Sequence, residues 1–171
     1  MNLEYFISSL PALSYGQPAQ ITEAAFREAC ATGLDGAVAA SVAALLDGSP
    51  FAGGASSAWV EAWNGKEAEI RLAVARRRAA RLGIPPPETL ACVMDTRIEP
   101  AVNAAFDEIN PLRREEALDR LRWQLADEMQ GVQPFSENVI YAYAVKLRLV
   151  LRFQSLSPEA GKKVFAQLTA R

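Results

Sequence analysis

Residues 137–154 read ENVIYAYAVKLRLVLRFQ, and this stretch decides the fold. Wound as an α-helix, it carries apolar side chains over more than half of its circumference. These side chains are Val139, Ile140, Tyr143, Ala144, Leu147, Val150 and Leu151. A helix that is apolar on so many sides needs other helices to cover it. The stretch therefore predicts a helix near the centre of a bundle, with Ser136 as its N-cap.

The rest of the chain supplies helices to surround that stretch. Capping residues and apolar spacing of three to four predict helices over about 23–31, 36–46, 57–82, 88–96, 99–108, 111–130 and 158–169. The segments at 88–96 and 99–108 also fit one helix kinked at Pro100. Residues 3–10 alternate weakly and predict a short strand or an extended segment.

These segments predict an all-α fold: a helical bundle of about six to eight helices with a short extended N-terminal segment. The composition agrees, because 31 Ala and 18 Leu stand against 11 Val and 7 Ile. Residues 1–171 are expected to form a single helical domain. Subdivisions, if present, fall near residues 48–56 and 83–88, where glycine and proline interrupt the helical pattern.

The composition also limits the classes of function. Eighteen basic and 20 acidic residues give a net charge of −2, which argues against general binding of nucleic acid. The chain has no histidine, and therefore no histidine-based triad, histidine metal ligand or usual general base. It also lacks the GxxxxGK[ST], GxGxxG and GxSxG motifs. We expect a protein that is not an enzyme, with no catalytic residue, cofactor or metal.

The two cysteines and the hydropathy pattern bear on the compartment. Cys30 and Cys92 form no CxxC pair; they fit either two buried free thiols in a reducing compartment or one disulfide. No apolar run reaches the length of a transmembrane helix, and the N-terminus is a poor signal peptide. These features predict a soluble, cytoplasmic protein.

An arginine-rich stretch is the densest charged feature of the sequence. Residues 70–87 contain five arginines and no acidic residue. On a helix, Arg77 and Arg81 share one face, and Arg71 and Arg78 share another. One interpretation is a surface for an acidic partner or for nucleic acid. The other is a solvated face with one or two ion pairs to neighbouring helices, and no interleaved aromatic residues favour base stacking.

Two further side chains are candidates for protein contacts. Trp63 lies one turn from Trp59, so the pair is either core packing or an exposed anchor for a partner. Lys146 interrupts the most apolar helix. If it is buried it requires a carboxylate such as Asp127 or Glu128, and otherwise it snorkels to solvent or contacts a partner.

Several segments, in their order along the chain, resemble one protein family. They are residues 5–11 with Leu13, residues 26–30, Trp63 with residues 71–73 and 78–83, residues 110–112, residues 121–128, and Phe135 with residues 137–138 and 143–147. The family is an uncharacterised helical one encoded beside bacterial V/A-type ATP synthase genes. It is in turn similar to a short form of the rotor-cap subunit, called C in bacteria and d in eukaryotes. Phe153 departs from the tryptophan expected there.

The resemblance implies a non-enzymatic scaffold protein associated with a V/A-type rotary ATPase. It would act as a reduced central-stalk cap or as an assembly factor, held at the inner membrane through the ATPase complex. The contact residues would be Trp63, Arg71, Arg77, Arg78, Arg81 and Lys146. The alternatives are a helical adaptor or regulator unrelated to ATPases, with or without forming a homodimer, and a small-molecule-binding or enzymatic bundle that uses its carboxylates.

Overall fold

The structure, a computed structural model, describes residues 2–48, 57–86, 95–156 and 166. These ranges contain seven bounded helices and no β-strand. The helices are α1 (Leu3–Ser9), α2 (Glu23–Gly33), α3 (Gly36–Asp47), α4 (Ala58–Leu82), α5 (Ile98–Asp107), α6 (Pro111–Gln130) and α7 (Glu137–Ser155). The predicted all-α fold is confirmed.

Helix α7 lies at the centre of the packed helices, as its sequence predicts. It contacts α1, α2, α3, α4 and α6. Its buried residues are Ile140, Tyr141, Ala142, Ala144, Val145, Leu147, Leu149 and Val150. The burial extends further round the helix than the predicted apolar stripe, since Tyr141 and Val145 are also buried. Buried apolar residues from all seven helices form one core cluster that includes most of the buried residues of α7.

The helix ends follow the capping signals in the sequence. Thr22, Asp35 and Asn110 each accept a backbone N–H of their helix's first turn, at 2.9–3.2 Å. Ser136 stands at the predicted N-cap position but makes no side-chain capping bond. Its hydroxyl instead donates to the carbonyl of Gln133 at 3.2 Å. The helix boundaries were therefore predictable from local residues, although one capping bond was not.

The prediction that residues 3–10 are a strand or an extended segment is wrong. The segment forms helix α1, and the side chain of Asn2 accepts a backbone N–H of its first turn. Phe6 is buried, and Leu3, Ile7 and Leu10 pack against the core. These four residues have the spacing of one helical face, and this period outweighs the weak alternation.

Parts of the expected organisation lie outside the described residues. They are Cys92, nearly all of the helix predicted at 158–169, and most of the one predicted at 88–96. The single domain over residues 1–171 and its divisions near 48–56 and 83–88 stay predictions.

The thiol of Cys30 is free and buried in α2. Burial raises its pKa to about 12, because the apolar surroundings disfavour the thiolate. At pH 8 only about one Cys30 in 10⁴ is then ionised, and the thiolate is the reactive form.

We expect Cys30 to resist thiol reagents until the protein unfolds. In a Cys92→Ser variant, the rate of reaction with a disulfide reagent at pH 8 is predicted to rise by orders of magnitude on adding denaturant. The same measurement on the denatured chain supplies the reference rate. Reaction of the native protein at that reference rate would contradict the burial of Cys30.

Gly48 ends α3 in the left-handed conformation, with φ +65°. A Cβ atom there would also overlap the guanidinium of Arg148 from α7. Gly83 ends α4 with nearly the same φ, +66°, but no neighbouring atom of the described part of the chain lies within 4 Å of the position of its Cβ. Both positions therefore favour glycine because of the left-handed backbone. Of the two, Gly48 also leaves no space for a Cβ atom beside Arg148.

Gly48→Ala is predicted to destabilise the protein more than Gly83→Ala. The left-handed conformation costs Gly83→Ala about 1 kcal/mol. Gly48→Ala adds the displacement of Arg148 to that cost. Denaturant unfolding of both variants beside the unmodified chain measures the difference. Equal losses of unfolding free energy in the two variants would mean that displacing Arg148 from Gly48 has no cost.

Candidate interaction surface

The arginine-rich stretch forms the C-terminal half of α4. The helix begins after Ser57, whose hydroxyl accepts the N–H of Val60 at 3.2 Å, and it ends at Gly83. Arg81 lies in the last turn, where a positive charge interacts favourably with the helix dipole. The helix runs without a break through Gly65, so all five arginines share one rigid element.

The arginines divide between two faces, as their spacing predicts. Arg77 and Arg81 face α5: Arg77 pairs with Asp107 at 2.8 Å, and Arg81 donates to the carbonyl of Phe106 at 2.6 Å. The guanidinium of Arg81 also lies 5.4 Å from the centre of the Phe106 ring. These two side chains therefore make the contacts to a neighbouring helix that the structural interpretation expected.

Arg71 and Arg78 lie on the other face and are exposed. Arg71 makes a loose contact with Glu67, 3.9 Å from Nε to Oε2. Within the described part of the chain, Arg78 has no ion pair. Arg76 differs from both, because it approaches Glu99 at 3.8 Å and makes further contacts. The charges available to another molecule on this helix are thus those of Arg71 and Arg78.

Arg71 and Arg78 border a groove of about 650 Å³ between α4, the segment that follows it, and α6. Leu82 and Ile84 in this groove are 73% and 54% exposed. The groove is lined by Ile70, Arg71, Val74, Ala75, Arg78, Ala79, Leu82, Ile84, Pro85, Glu115, Leu118 and Arg122. It combines an apolar floor with a mainly basic rim, and we call it the α4–α6 groove.

Trp63 is placed in the core, with 3% of its surface exposed. Its ring stacks on Trp59 at a centroid distance of 5.9 Å. The indole N–H of Trp59 donates to the carbonyl of Met129 at 2.8 Å. The pair therefore packs as the core interpretation predicted, and Trp63 does not reach the surface beside the arginines.

Lys146 is also largely covered, with 12% of its side chain exposed. Its ammonium group pairs with Asp127, the carboxylate expected from the sequence, and donates to Gln130 at 3.2 Å. It also lies 5.4 Å from the centre of the Trp123 ring. This side chain fastens α7 to α6, and it is not on the α4–α6 groove.

The apolar floor of the groove was missing from the sequence-based site. Leu82 and Ile84 directly follow the arginine run, but Leu118 comes from α6, 36 residues beyond Leu82. The position of Leu82, a large apolar residue at the end of the arginine-rich helix, was the available signal in the sequence. Its role in the groove depends on α6 lying opposite α4, which the spacing of residues within one helix cannot show.

The fold and the groove define an all-helical protein with a basic, apolar-floored surface. Residues 99–171 match the model of a family described as a protein of unknown function (DUF2764). The matched range includes α6, α7 and all but the first residue of α5. The description names neither an activity nor a partner. No curated protein and no solved structure matches the chain.

Two further observations concern metals and membranes. Among residues 2–48, 57–86, 95–156 and 166, no group of three or more acidic or cysteine side chains is placed to hold a metal ion. None of the helices in those ranges has an apolar stretch of the length that crosses a bilayer.

The pair between Lys146 and Asp127 yields a prediction for stability. Asp127→Ala leaves a covered ammonium group without its carboxylate and is expected to cost about 1–2 kcal/mol of unfolding free energy. Asp107→Ala breaks the more exposed pair with Arg77 and is expected to cost less than about 0.5 kcal/mol. Urea unfolding of the two variants at equal ionic strength tests the order. If Asp107→Ala lost more unfolding free energy than Asp127→Ala, the pair of Lys146 with Asp127 would not be a stabilising contact of the bundle.

Proposed function

We propose that this protein is a non-enzymatic interaction protein whose α4–α6 groove binds an acidic, amphipathic helix of a partner. The observation that carries the proposal is the combination of an apolar floor with arginines that have little or no pairing within the described chain. An amphipathic helix offers the matching features, because its apolar face and acidic residues lie side by side.

The apolar floor supplies a reason for a partner to bind. Leu82 and Ile84 expose most of their surfaces in the groove, next to Leu118. Burying a side chain of this size fully stabilises a complex by about 1.5–3 kcal/mol before the cost of association. Exposed apolar surface with a polar rim is typical of interaction sites.

The rim supports an acidic partner over a neutral one. Arg71, Arg78 and Arg122 line the groove, against the single carboxylate of Glu115. Arg122 is already bound to Glu67 at 2.7 Å, so Arg71 and Arg78 carry the attraction. Charges at a rim contribute more to association rate and to choice of partner than to affinity.

The resemblance described for the sequence suggests which partner this is. We propose a subunit of a V/A-type rotary ATPase, with this chain acting as a reduced central-stalk cap of the C/d type or as an assembly factor. It would be cytoplasmic and held beside the membrane through that complex. Such a role requires binding surface and no reactive group, consistent with a sequence that has no histidine and no nucleotide-binding loop.

The proposal predicts that Arg78→Glu weakens capture of ATPase subunits from native membranes by about tenfold, because a reversed charge repels the acidic partner. Arg78→Lys keeps the charge and should retain capture. Arg113→Glu is the matched control: Arg113 is exposed on the first turn of α6 and does not line the groove. Tagged variants, compared by quantitative mass spectrometry of the captured subunits, provide the measurement.

The outcomes separate the parts of this proposal. No capture of ATPase subunits from membranes with intact complexes would overturn the ATPase assignment. A stable dimer by light scattering together with that result would favour the homodimeric adaptor. Equal losses for Arg78→Glu and Arg113→Glu would overturn the groove as the contact surface.

A further inference from the structure

A second cavity lies between α4, α6 and α7. Its volume is about 220 Å³. It is lined by Trp63, Glu67, Arg71, Glu115, Asp119, Arg122, Val145, Arg148, Leu149 and Arg152. Seven of these residues are charged, and they comprise four arginines and three carboxylates. The lining therefore carries an excess of one positive charge.

The three carboxylates are already engaged by two of the arginines. Arg122 binds Glu67 at 2.7 Å and Asp119 at 3.1 Å. Arg152 binds Asp119 at 2.6 Å and Glu115 at 2.6 Å. These contacts form one chain of ion pairs across the cavity wall, from α4 through α6 to α7. Arg122 and Arg152 are therefore neutralised locally.

Arg148 stands apart from this chain of ion pairs. Its guanidinium has no carboxylate within 4.0 Å and no hydrogen bond to any residue that the structure describes. Burial lowers its pKa, and repulsion from Arg122, Arg152 and Arg71 adds to that effect, while Glu67 opposes it. An arginine nevertheless stays charged at every accessible pH. Arg148 is consequently a half-buried cation whose compensation is incomplete.

The backbone near Arg148 supplies part of the missing negative charge. The guanidinium lies against Gly48, at the C-terminus of α3, where the helix dipole is negative. A helix terminus contributes about half an elementary charge, less than a carboxylate. The remaining imbalance, and the cavity that Arg148 helps to line, both favour an added anion.

We propose that this cavity binds a small oxyanion of the phosphate class between Arg148 and Arg71. Arg71 is held loosely by Glu67 at 3.9 Å, so its guanidinium is available to the anion. Two planar guanidinium groups bind tetrahedral oxyanions through paired hydrogen bonds. Binding at this site does not require a partner protein. The phosphate test and the capture test of the proposed function can therefore fail independently.

The test uses inorganic phosphate and the full chain, with sodium chloride adjusted to hold ionic strength constant. Because Trp63 lines the cavity, phosphate should change tryptophan fluorescence saturably and raise the midpoint of thermal unfolding. Arg148→Gln should weaken the apparent affinity by about tenfold or more, and Arg148→Lys by less. Arg113→Gln removes an exposed arginine away from the cavity and should respond as the unmodified chain does.

A second variant keeps the test decisive if Arg148→Gln does not fold, as judged by circular dichroism. Arg71→Gln alters an exposed side chain and should weaken the response to phosphate while the helices remain intact. A response to phosphate no larger than that to chloride would overturn the proposal. So would equal responses of Arg71→Gln and Arg113→Gln. Saturable binding of succinate without binding of phosphate would assign the cavity to carboxylates and overturn the phosphate class.

Discussion

The burial of α7 on nearly all sides is the constraint around which the other helices are arranged. Eight of its residues are buried, and they face five different helices. No single neighbour covers a helix of this kind, so α1, α2, α3, α4 and α6 each cover a part of it. The hydrophobic effect at this helix therefore selects a bundle in which sequence-distant segments meet.

Two of the three cations on this helix, Lys146 and Arg152, add specific ion pairs to the hydrophobic core. Lys146 pairs with Asp127, and Arg152 pairs with Glu115 and Asp119, so α7 is joined to α6 at its middle and near its C-terminus. A charge removed from water is costly without a partner, and these pairs disfavour other registers of the two helices. Arg148, between them, has no such carboxylate among the residues that the structure describes.

The arginines of α4 illustrate how one helix serves both stability and binding. Arg77 and Arg81 reach α5 and become part of the fold. Arg71 and Arg78, on the other face, remain at the surface beside Leu82 and Ile84. The division follows from helical geometry, because residues four apart share a face and residues one apart do not. It concentrates the available positive charge where apolar surface is also exposed.

The sequence by itself determined the helical class, most helix ends, the central position of α7 and the two arginine faces. These properties depend on residues within one or two turns of each other, which capping and periodicity describe. It misled at residues 3–10, where weak alternation hid a helical face of four apolar residues. Only the tertiary structure decided that Trp63 is buried and that, within the described ranges, Arg148 has no carboxylate partner. It also decided that Leu118 completes the groove. Each of these depends on which helices meet, and that is set by contacts between residues far apart in the chain.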